Sequence, residues 1–156
     1  MCNPVCSPAT KWLALGCLII GCSCGPNEVE VATSAAQQQQ VLALISSETG
    51  IVFPQNTRVI NAARVFLKDP KLLLKAEVDR TDLERFVQSP PINGIKFQQR
   101  INLLKNQVKF RWWNPESQKN FKCGSAILPN GRGGFVVLLG LDNPDTVILF
   151  VVVART

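Results

Sequence analysis

The sequence predicts an α+β domain, with an antiparallel sheet of about four or five strands and helices on one face. Two apolar runs near the carboxyl end, residues 135–139 and 147–153, flank the turn residues Asn143 and Pro144 and predict a buried hairpin. A third run, residues 72–78, alternates apolar and polar side chains. That alternation is typical of a strand with one face on a core and the other largely in water.

The first helix is expected at residues 38–47, where Val41 and Ile45 belong to a helical stripe of apolar side chains and Gly50 follows as a stop signal. Residues 57–67 are rich in β-branched and small apolar side chains and predict the first strand. A polar turn then leads into the alternating strand.

A short helix is predicted to begin at Thr81, because Thr81 and Glu84 have the spacing of a capping box. Leu83 and Phe86 would pack on the sheet from this helix. Pro90 and the proline after it would end the helix, since neither can donate a backbone hydrogen bond.

A second amphipathic helix is predicted at residues 95–106, with Phe97, Ile101 and Leu104 on one side and basic side chains on the other. Asn130-Gly131 lies between apolar runs and predicts a hairpin turn. Together these elements occupy about 110 residues, which is room for one core.

The amino-terminal segment has the character of an export leader. Lys11 and the free amino terminus supply positive charge, and residues 12–21 carry none before Gly25 and Pro26 interrupt the segment. A helix that crosses a bilayer needs about 20 apolar residues, so this run is too short to span. A buried core helix or an uncleaved anchor is the alternative.

The residues Ile19, Ile20, Gly21 and Cys22 resemble the lipobox of bacterial lipoprotein precursors, with an apolar residue three places before the cysteine and a small one directly before it. This resemblance implies a signal peptide over residues 1–21, removed by cleavage before Cys22. It also implies that the Cys22 thiol receives a diacylglycerol and that the new amino terminus is acylated. Two or three acyl chains anchor a protein durably, whereas one binds only marginally.

The same resemblance divides the chain and gives it a location. Residues 22–40 would form a flexible linker, rich in Ala, Ser, Thr and Gln, and residues 41–156 the α+β domain. Ser23 after the modified cysteine implies the outer membrane where the organism has one, and otherwise the outer face of the plasma membrane. The domain itself resembles only small uncharacterised exported proteins, and no activity comes with that likeness.

Cysteine usage is compatible with export. Of the six cysteines, three lie in the predicted leader and Cys22 would carry lipid, which leaves Cys24 and Cys123. A disulfide between Cys24 and Cys123 is one interpretation, and two free thiols are the other.

The chain contains neither histidine nor tyrosine, and it has no phosphate-binding loop pattern. The sequence therefore predicts no catalytic residue, no metal site and no cofactor. The alternative is a hydrolase that uses paired carboxylates, for which the acidic residues near positions 77–84 are the candidates. These are Glu77, Asp79, Asp82 and Glu84. Helix-dipole and solvent-facing roles explain the same residues.

The basic surplus is concentrated in one segment. The chain has 17 basic and 11 acidic residues, and between positions 96 and 122 seven basic residues face Glu116 alone. The candidate interaction surface comprises Lys96, Arg100, Lys105, Lys109, Arg111, Trp112, Trp113, Lys119 and Lys122. Its expected partner is anionic lipid or an envelope protein or polysaccharide, and no nucleic acid is expected in that compartment.

The alternative for this segment is that its tryptophans belong to the core and its charges form a solvated rim. Adjacent residues of a strand point to opposite faces, so at most one of Trp112 and Trp113 would be fully inside. Taken together, the sequence predicts a lipid-anchored cell-envelope protein with a non-enzymatic binding or structural role. A soluble domain of another role is the alternative if the leader interpretation fails.

Overall fold

The computed structural model describes residues 28–66, 70–100 and 110–155. These residues form one antiparallel sheet with two helices on one face, which confirms the predicted α+β class. The strands in chain order are β1 (Glu28–Val31), β2 (Arg58–Phe66), β3 (Lys71–Asp79), β4 (Phe121–Ile127), β5 (Gly134–Gly140) and β6 (Thr146–Ala154). The helices are α1 (Ala35–Thr49) and α2 (Leu83–Gln88).

The order of strands across the sheet is β1-β2-β3-β6-β5-β4. The two carboxyl-terminal strands form the predicted hairpin, and β6 also pairs with β3 along its whole length, from Lys71 opposite Ala154 to Asp79 opposite Thr146. This central position explains the apolar run of β6, because its side chains on both faces are covered. The turn at Asn130-Gly131 joins β4 to β5, as expected, with Gly131 at φ 71°.

The two helices cover one face of the sheet. Val41 and Ile45 of α1 and Phe86 of α2 are buried in a core with residues from the central strands, including Leu74 and Val151. Gly50 ends α1 in the left-handed conformation at φ 75°, as the sequence predicts. A hydrogen-bonded ion pair between Glu48 and Arg155 joins the last turn of this helix to the end of the chain.

The opposite face carries a second apolar cluster, and this differs from the expectation for β3. Leu73 was expected on a face largely in water, but it has no exposed surface and packs with Phe150 and Leu138. The side chains of Phe110, Trp112 and Trp113 belong to the same cluster. The central strands are therefore buried on both sides, by helices on one and by an irregular aromatic segment on the other.

Ordered elements occupy residues 28–31 and 35–40 of the predicted linker. Strand β1 pairs with residues 63–66 of β2, and α1 begins at Ala35, so the domain starts before residue 41. The signal that begins α1 is a capping box between Ser34 and Gln37. The predicted signal peptide, residues 1–21, and Cys22 lie outside the described residues and stay predictions.

The capping box predicted at Thr81 and Glu84 is wrong, although the helix that it was expected to begin is present. Thr81 lies in a turn of 3-10 helix, and α2 follows directly with Asp82 before its first residue and no side-chain cap. The helix ends before Pro90, and Phe86 packs on the sheet as expected. Burial of Phe86 thus positions the helix without the cap.

The helix predicted at residues 95–106 is absent over 95–100, and residues 101–109 lie outside the described ranges. Residues 95–100 run beside the edge of β4 instead, where Gln98 and Cys123 form a β-bridge. Ile95 is drawn into the helix-side core at 8% exposure. Tertiary pairing with the sheet therefore overrides the helical spacing of this segment.

Candidate functional site

A groove lies where residues 95–100 pass the outer edge of β4. The backbone N–H groups of Gln98 and Cys123 each donate to the other's carbonyl oxygen, both at 2.8 Å. Gly124 permits this approach, because a Cβ atom at that position would stand 2.2 Å from Cγ2 of Ile95. The groove is thus formed by the edge of β4 and the extended segment 95–100, and Gly124 allows the two to come this close.

The lining of this groove is basic and polar. Its volume is about 590 Å³, and Lys96 and Arg100 are both exposed there. The residues that line it are Gly94, Lys96, Gln98, Arg100, Cys123, Gly124 and Ser125. None of these residues is acidic, so no carboxylate in the lining neutralises the positive charges of Lys96 and Arg100. We call it the β4-edge groove.

Because the bridge is antiparallel, residues 95–97 run beside the edge of β4 past Gly124, toward the carboxyl end of the strand. The backbone N–H and C=O groups of Cys123 point away from β5, because they bond to Gln98. In an antiparallel strand, every second residue points its backbone groups to the same side. Ser125 therefore points its N–H and C=O outward, and so does Ile127. Within the described residues these backbone groups have no hydrogen-bond partner. The side chain of Ile127 is 76% exposed.

The remaining predicted cations are divided between described and undescribed segments. Arg111, Lys119 and Lys122 are exposed, while Lys105 and Lys109 lie outside the described residues. The backbone N–H groups of Lys119 and Asn120 donate to the carboxylate of Asp142 at 2.9 and 2.7 Å. These two hydrogen bonds lower the pKa of Asp142. Arg111, Lys119 and Lys122 extend the basic character beyond the groove.

The two tryptophans do not lie in a strand. Trp112 sits in a turn and is partly buried, whereas Trp113 is 6% exposed. The expectation that at most one would be fully inside is therefore confirmed, but its reason is wrong because both rings join the cluster on one face. Trp113 stands edge-on to Phe150 with ring centroids 5.4 Å apart, and Trp112 stacks on Phe110 at 5.3 Å. Trp113 thus belongs to the core and offers no interaction surface.

Lys75 holds the aromatic segment against the sheet. Its Nζ donates to Oδ1 of Asn114 at 2.8 Å and to the carbonyl oxygen of Trp112 at 3.3 Å. The same Nζ lies 5.3 Å from the ring centroid of Phe150. Burial lowers the pKa of Lys75. Lys75 was expected to face solvent. It instead joins β3 to residues 112–114.

Cys123 carries a free thiol that is 3% exposed. Burial raises its pKa to about 11, so very little thiolate exists near neutral pH. Its proposed disulfide partner, Cys24, lies outside the described residues, and their pairing stays a prediction. The burial of Cys123 disfavours easy access by a second thiol.

Three of the four acidic residues near positions 77–84 have local partners. Glu77 accepts from Arg58 at 2.8 Å across β2 and β3, and Glu84 accepts from Gln88 at 3.1 Å along α2. Asp82 lies 4.0 Å from Arg85. In the described ranges, no three Asp, Glu, His or Cys side chains are grouped as a metal site requires.

The chain matches no protein-family model, no curated protein and no solved structure. Among the described residues, no helix has both the length and the apolar character needed to cross a bilayer. The β4-edge groove and the amino-terminal sequence are therefore the features of the chain that point to a function.

Proposed function

We propose that this chain is a lipid-anchored cell-envelope protein whose domain has a non-enzymatic binding role, exercised through the β4-edge groove and the exposed cations around it. The observation that carries the binding role is the groove itself, in which Lys96 and Arg100 face solvent without an acidic neighbour in the lining. An uncompensated basic concavity favours encounter with an anionic partner.

The anchor part of the proposal is supported by sequence. Ile19, Ile20, Gly21 and Cys22 resemble a lipobox, and β1 begins at Glu28, six residues after Cys22. Six extended residues reach at most about 20 Å, so the domain would work close to the membrane that holds it. A binding partner would therefore be an envelope component within that reach.

The aromatic contacts favour an anionic partner held at the groove over insertion of the domain into the membrane interface. Tryptophan side chains that anchor proteins at an interface must be exposed, and Trp113 is buried against Phe150. Trp112 is partly covered and its carbonyl oxygen is held by Lys75. Lys96 and Arg100 are exposed and can contact a partner, whereas Trp113 is buried and Trp112 is partly buried.

The anchor is tested by the mass of the amino-terminal peptide from a bacterial membrane fraction. We expect a peptide that begins at acylated Cys22 and that is absent from the Cys22→Ala variant. An intact Met1 end, or cleavage at a site without lipid, would contradict the anchor.

The binding role is tested with the unlipidated Cys22→Ala chain and an acidic polymer such as polyglutamate. We expect retention on the polymer at low salt and a loss of retention in Lys96→Glu. The matched control is Arg85→Glu on α2, which makes the same change in net charge away from the groove. The side chain of Arg85 is 90% exposed. An equal loss of retention in both variants would mean that net charge, and not the groove, determines binding to the polymer.

A further inference from the structure

We propose that the domain docks on an anionic bilayer through the end of its sheet that lies nearest Cys22. In this orientation Phe66 lies at the level of the head groups and Arg132 lies beside the lipid phosphates. The inference rests on the proposed lipid anchor, which holds this end close to a membrane. It adds a contact that is separate from the β4-edge groove and that uses neither Trp112 nor Trp113.

The strand register brings several strand ends together. Glu28, the first residue of β1, is paired with Phe66, the last residue of β2. Lys71, the first residue of β3, is paired with Ala154, the last residue of β6. Because β2 and β3 are paired along their length, these four residues share one end of the sheet. Glu28 follows Cys22 by six residues, so we call this the anchor-side end.

The turn between β4 and β5 continues the anchor-side end. Gly134, the first residue of β5, is paired with Ala154. Gly133 approaches the carboxyl-terminal segment so closely that a Cβ atom there would stand 2.9 Å from Cα of Arg155. Arg132 precedes this glycine and is exposed. Arg132 therefore lies beside the segment that carries Arg155.

Phe66 gives the anchor-side end an apolar contact. It is 45% exposed, and it is one of three large apolar residues that are exposed in the described part of the chain. A cavity of about 250 Å³ opens beside it, and its lining includes Leu44, Leu72, Arg64 and Arg155. Cations next to an exposed apolar side chain suit the boundary between head groups and acyl chains.

The two ends of the sheet differ in the sign of their net charge. The anchor-side end has the cations Lys71, Arg132 and Arg155 and the acidic residues Glu28 and Glu48. Glu48 is already paired with Arg155. The opposite end has the acidic residues Asp79, Asp142 and Asp145 and the cations Arg80 and Lys119. An anionic surface therefore attracts the first end and repels the second.

The tether makes a weak contact sufficient, because it keeps the anchor-side end near the bilayer at a high effective concentration. A tether alone would bring Phe66 close, since β2 lies next to β1. Arg132 lies in the turn that enters β5, four strand spacings or about 19 Å across the sheet from β1. Only the docked orientation holds Arg132 at the membrane as well.

The experiment uses the full-length chain in nanodiscs of phosphatidylglycerol that contain a trace of lipid with a gadolinium chelate on its head group. The relaxation enhancement of each amide proton, measured by NMR, falls with the sixth power of its distance from the chelate. The nine residues of β6 separate the two ends of the sheet by about 30 Å. The enhancement should therefore be at least about tenfold larger for Arg132 than for Asp145.

The lipid composition separates docking from tethering. In nanodiscs of phosphatidylcholine, which carry no net charge, the ratio between Arg132 and Asp145 should fall to about twofold or less. Similar enhancements for Arg132 and Asp145 in the anionic nanodiscs would overturn the inference. A larger enhancement for Gln98 than for Arg132 would also overturn it, because the β4-edge groove would then face the membrane.

Two variants test which side chains hold the orientation. Arg132→Glu should lower the enhancement at position 132 at least about fivefold in the anionic nanodiscs, because it replaces an attraction with a repulsion. Arg85→Glu on α2 makes the same change in net charge and should leave that enhancement within about twofold. Phe66→Ser should also lower it, since the apolar contact is lost. An unchanged enhancement in Arg132→Glu would contradict docking even if Phe66→Ser failed to fold.

The anchor and the docking surface can fail separately. The mass of the amino-terminal peptide measures the anchor on Cys22, and retention on polyglutamate measures the groove. An acylated chain without the enhancement at Arg132 would refute docking and leave the anchor intact. An unacylated chain that keeps the enhancement in anionic nanodiscs would support docking and refute the anchor.

Discussion

Trp113 stands edge-on against Phe150, with ring centroids 5.4 Å apart and ring planes at 87°. Phe150 lies in the central strand β6 and has no exposed surface. The indole therefore covers the middle of the sheet on the face that the helices leave open. Together with Phe110 and Trp112, this contact explains why the sheet can be apolar on both sides.

Trp113→Ala should strongly destabilise the domain. Removing a large aromatic side chain from a packed core costs about 3–5 kcal/mol in the free energy of unfolding. Trp112→Ala should cost less, because Trp112 is only partly buried. Urea denaturation of both variants tests the ranking, and an equal cost for the two would contradict the core position of Trp113.

Gly124→Ala should disturb the β4-edge groove. The added methyl group would stand 2.2 Å from Cγ2 of Ile95, so residues 95–98 must move away from the strand. We expect a loss of about 1–3 kcal/mol in the free energy of unfolding, as overpacking typically produces. The control is Gly94→Ala, whose added atom would meet nothing within 4 Å. Retained protection of the Gln98 amide in Gly124→Ala would contradict the bridge geometry.

Lys75 should make the domain gain stability at alkaline pH. Burial lowers its pKa in the folded protein below the ordinary value of 10.5, so between these values the unfolded chain binds more protons. The free energy of unfolding must then rise as pH increases through this window. The comparison is with Lys75→Met, which should lack this rise.

The test for Lys75 is best made in a Cys123→Ala background. Burial raises the pKa of the Cys123 thiol from 9.0 to about 11, so between these values the folded state binds more protons than the unfolded chain. The free energy of unfolding therefore falls as pH rises, which opposes the effect of Lys75. With the thiol removed, parallel pH curves for the chain with and without Lys75 would contradict the burial of its ammonium group.

Cys123 should react slowly with alkylating reagents. A pKa of about 11 in place of 9.0 lowers the thiolate fraction about a hundredfold at pH 8, and burial hinders access further. Peptide mass mapping after brief alkylation should find Cys123 unmodified until urea unfolds the chain. Ser125→Cys is the matched control, because position 125 is exposed on the same face of the same strand. Rapid modification of Cys123 in the folded protein would contradict its burial.

Local signals predicted much of the fold. Gly50 ends α1 because a left-handed residue terminates a helix whatever lies beyond it, and Asn130-Gly131 turns the chain for the same local reason. The strands β5 and β6 were evident because a run of apolar side chains needs burial on both faces. The position of the short helix α2 was predicted, although its capping box was not formed.

The candidate site was predicted only in part. The sequence located the cations Lys96, Arg100 and Lys122, but it placed the first two on a helix that the structure replaces with an extended segment. The position of β4 as an outer strand has no sequence signature, because the choice of which strand lies outermost depends on pairings between distant residues. A glycine between apolar positions, as at Gly124, is the one signal that could have indicated a close approach.

The sequence by itself determined the class of the domain, the turns and the identity of the strongest strands, since these follow from side-chain periodicity and from the backbone preferences of glycine, proline and asparagine. Only the tertiary structure decided that Trp113 is core and Cys123 is buried, and that residues 95–100 lie along β4. Those outcomes depend on which distant surfaces meet, and the free energy of burying Trp113 on Phe150 or Ile95 against Gly124 exists only when they do.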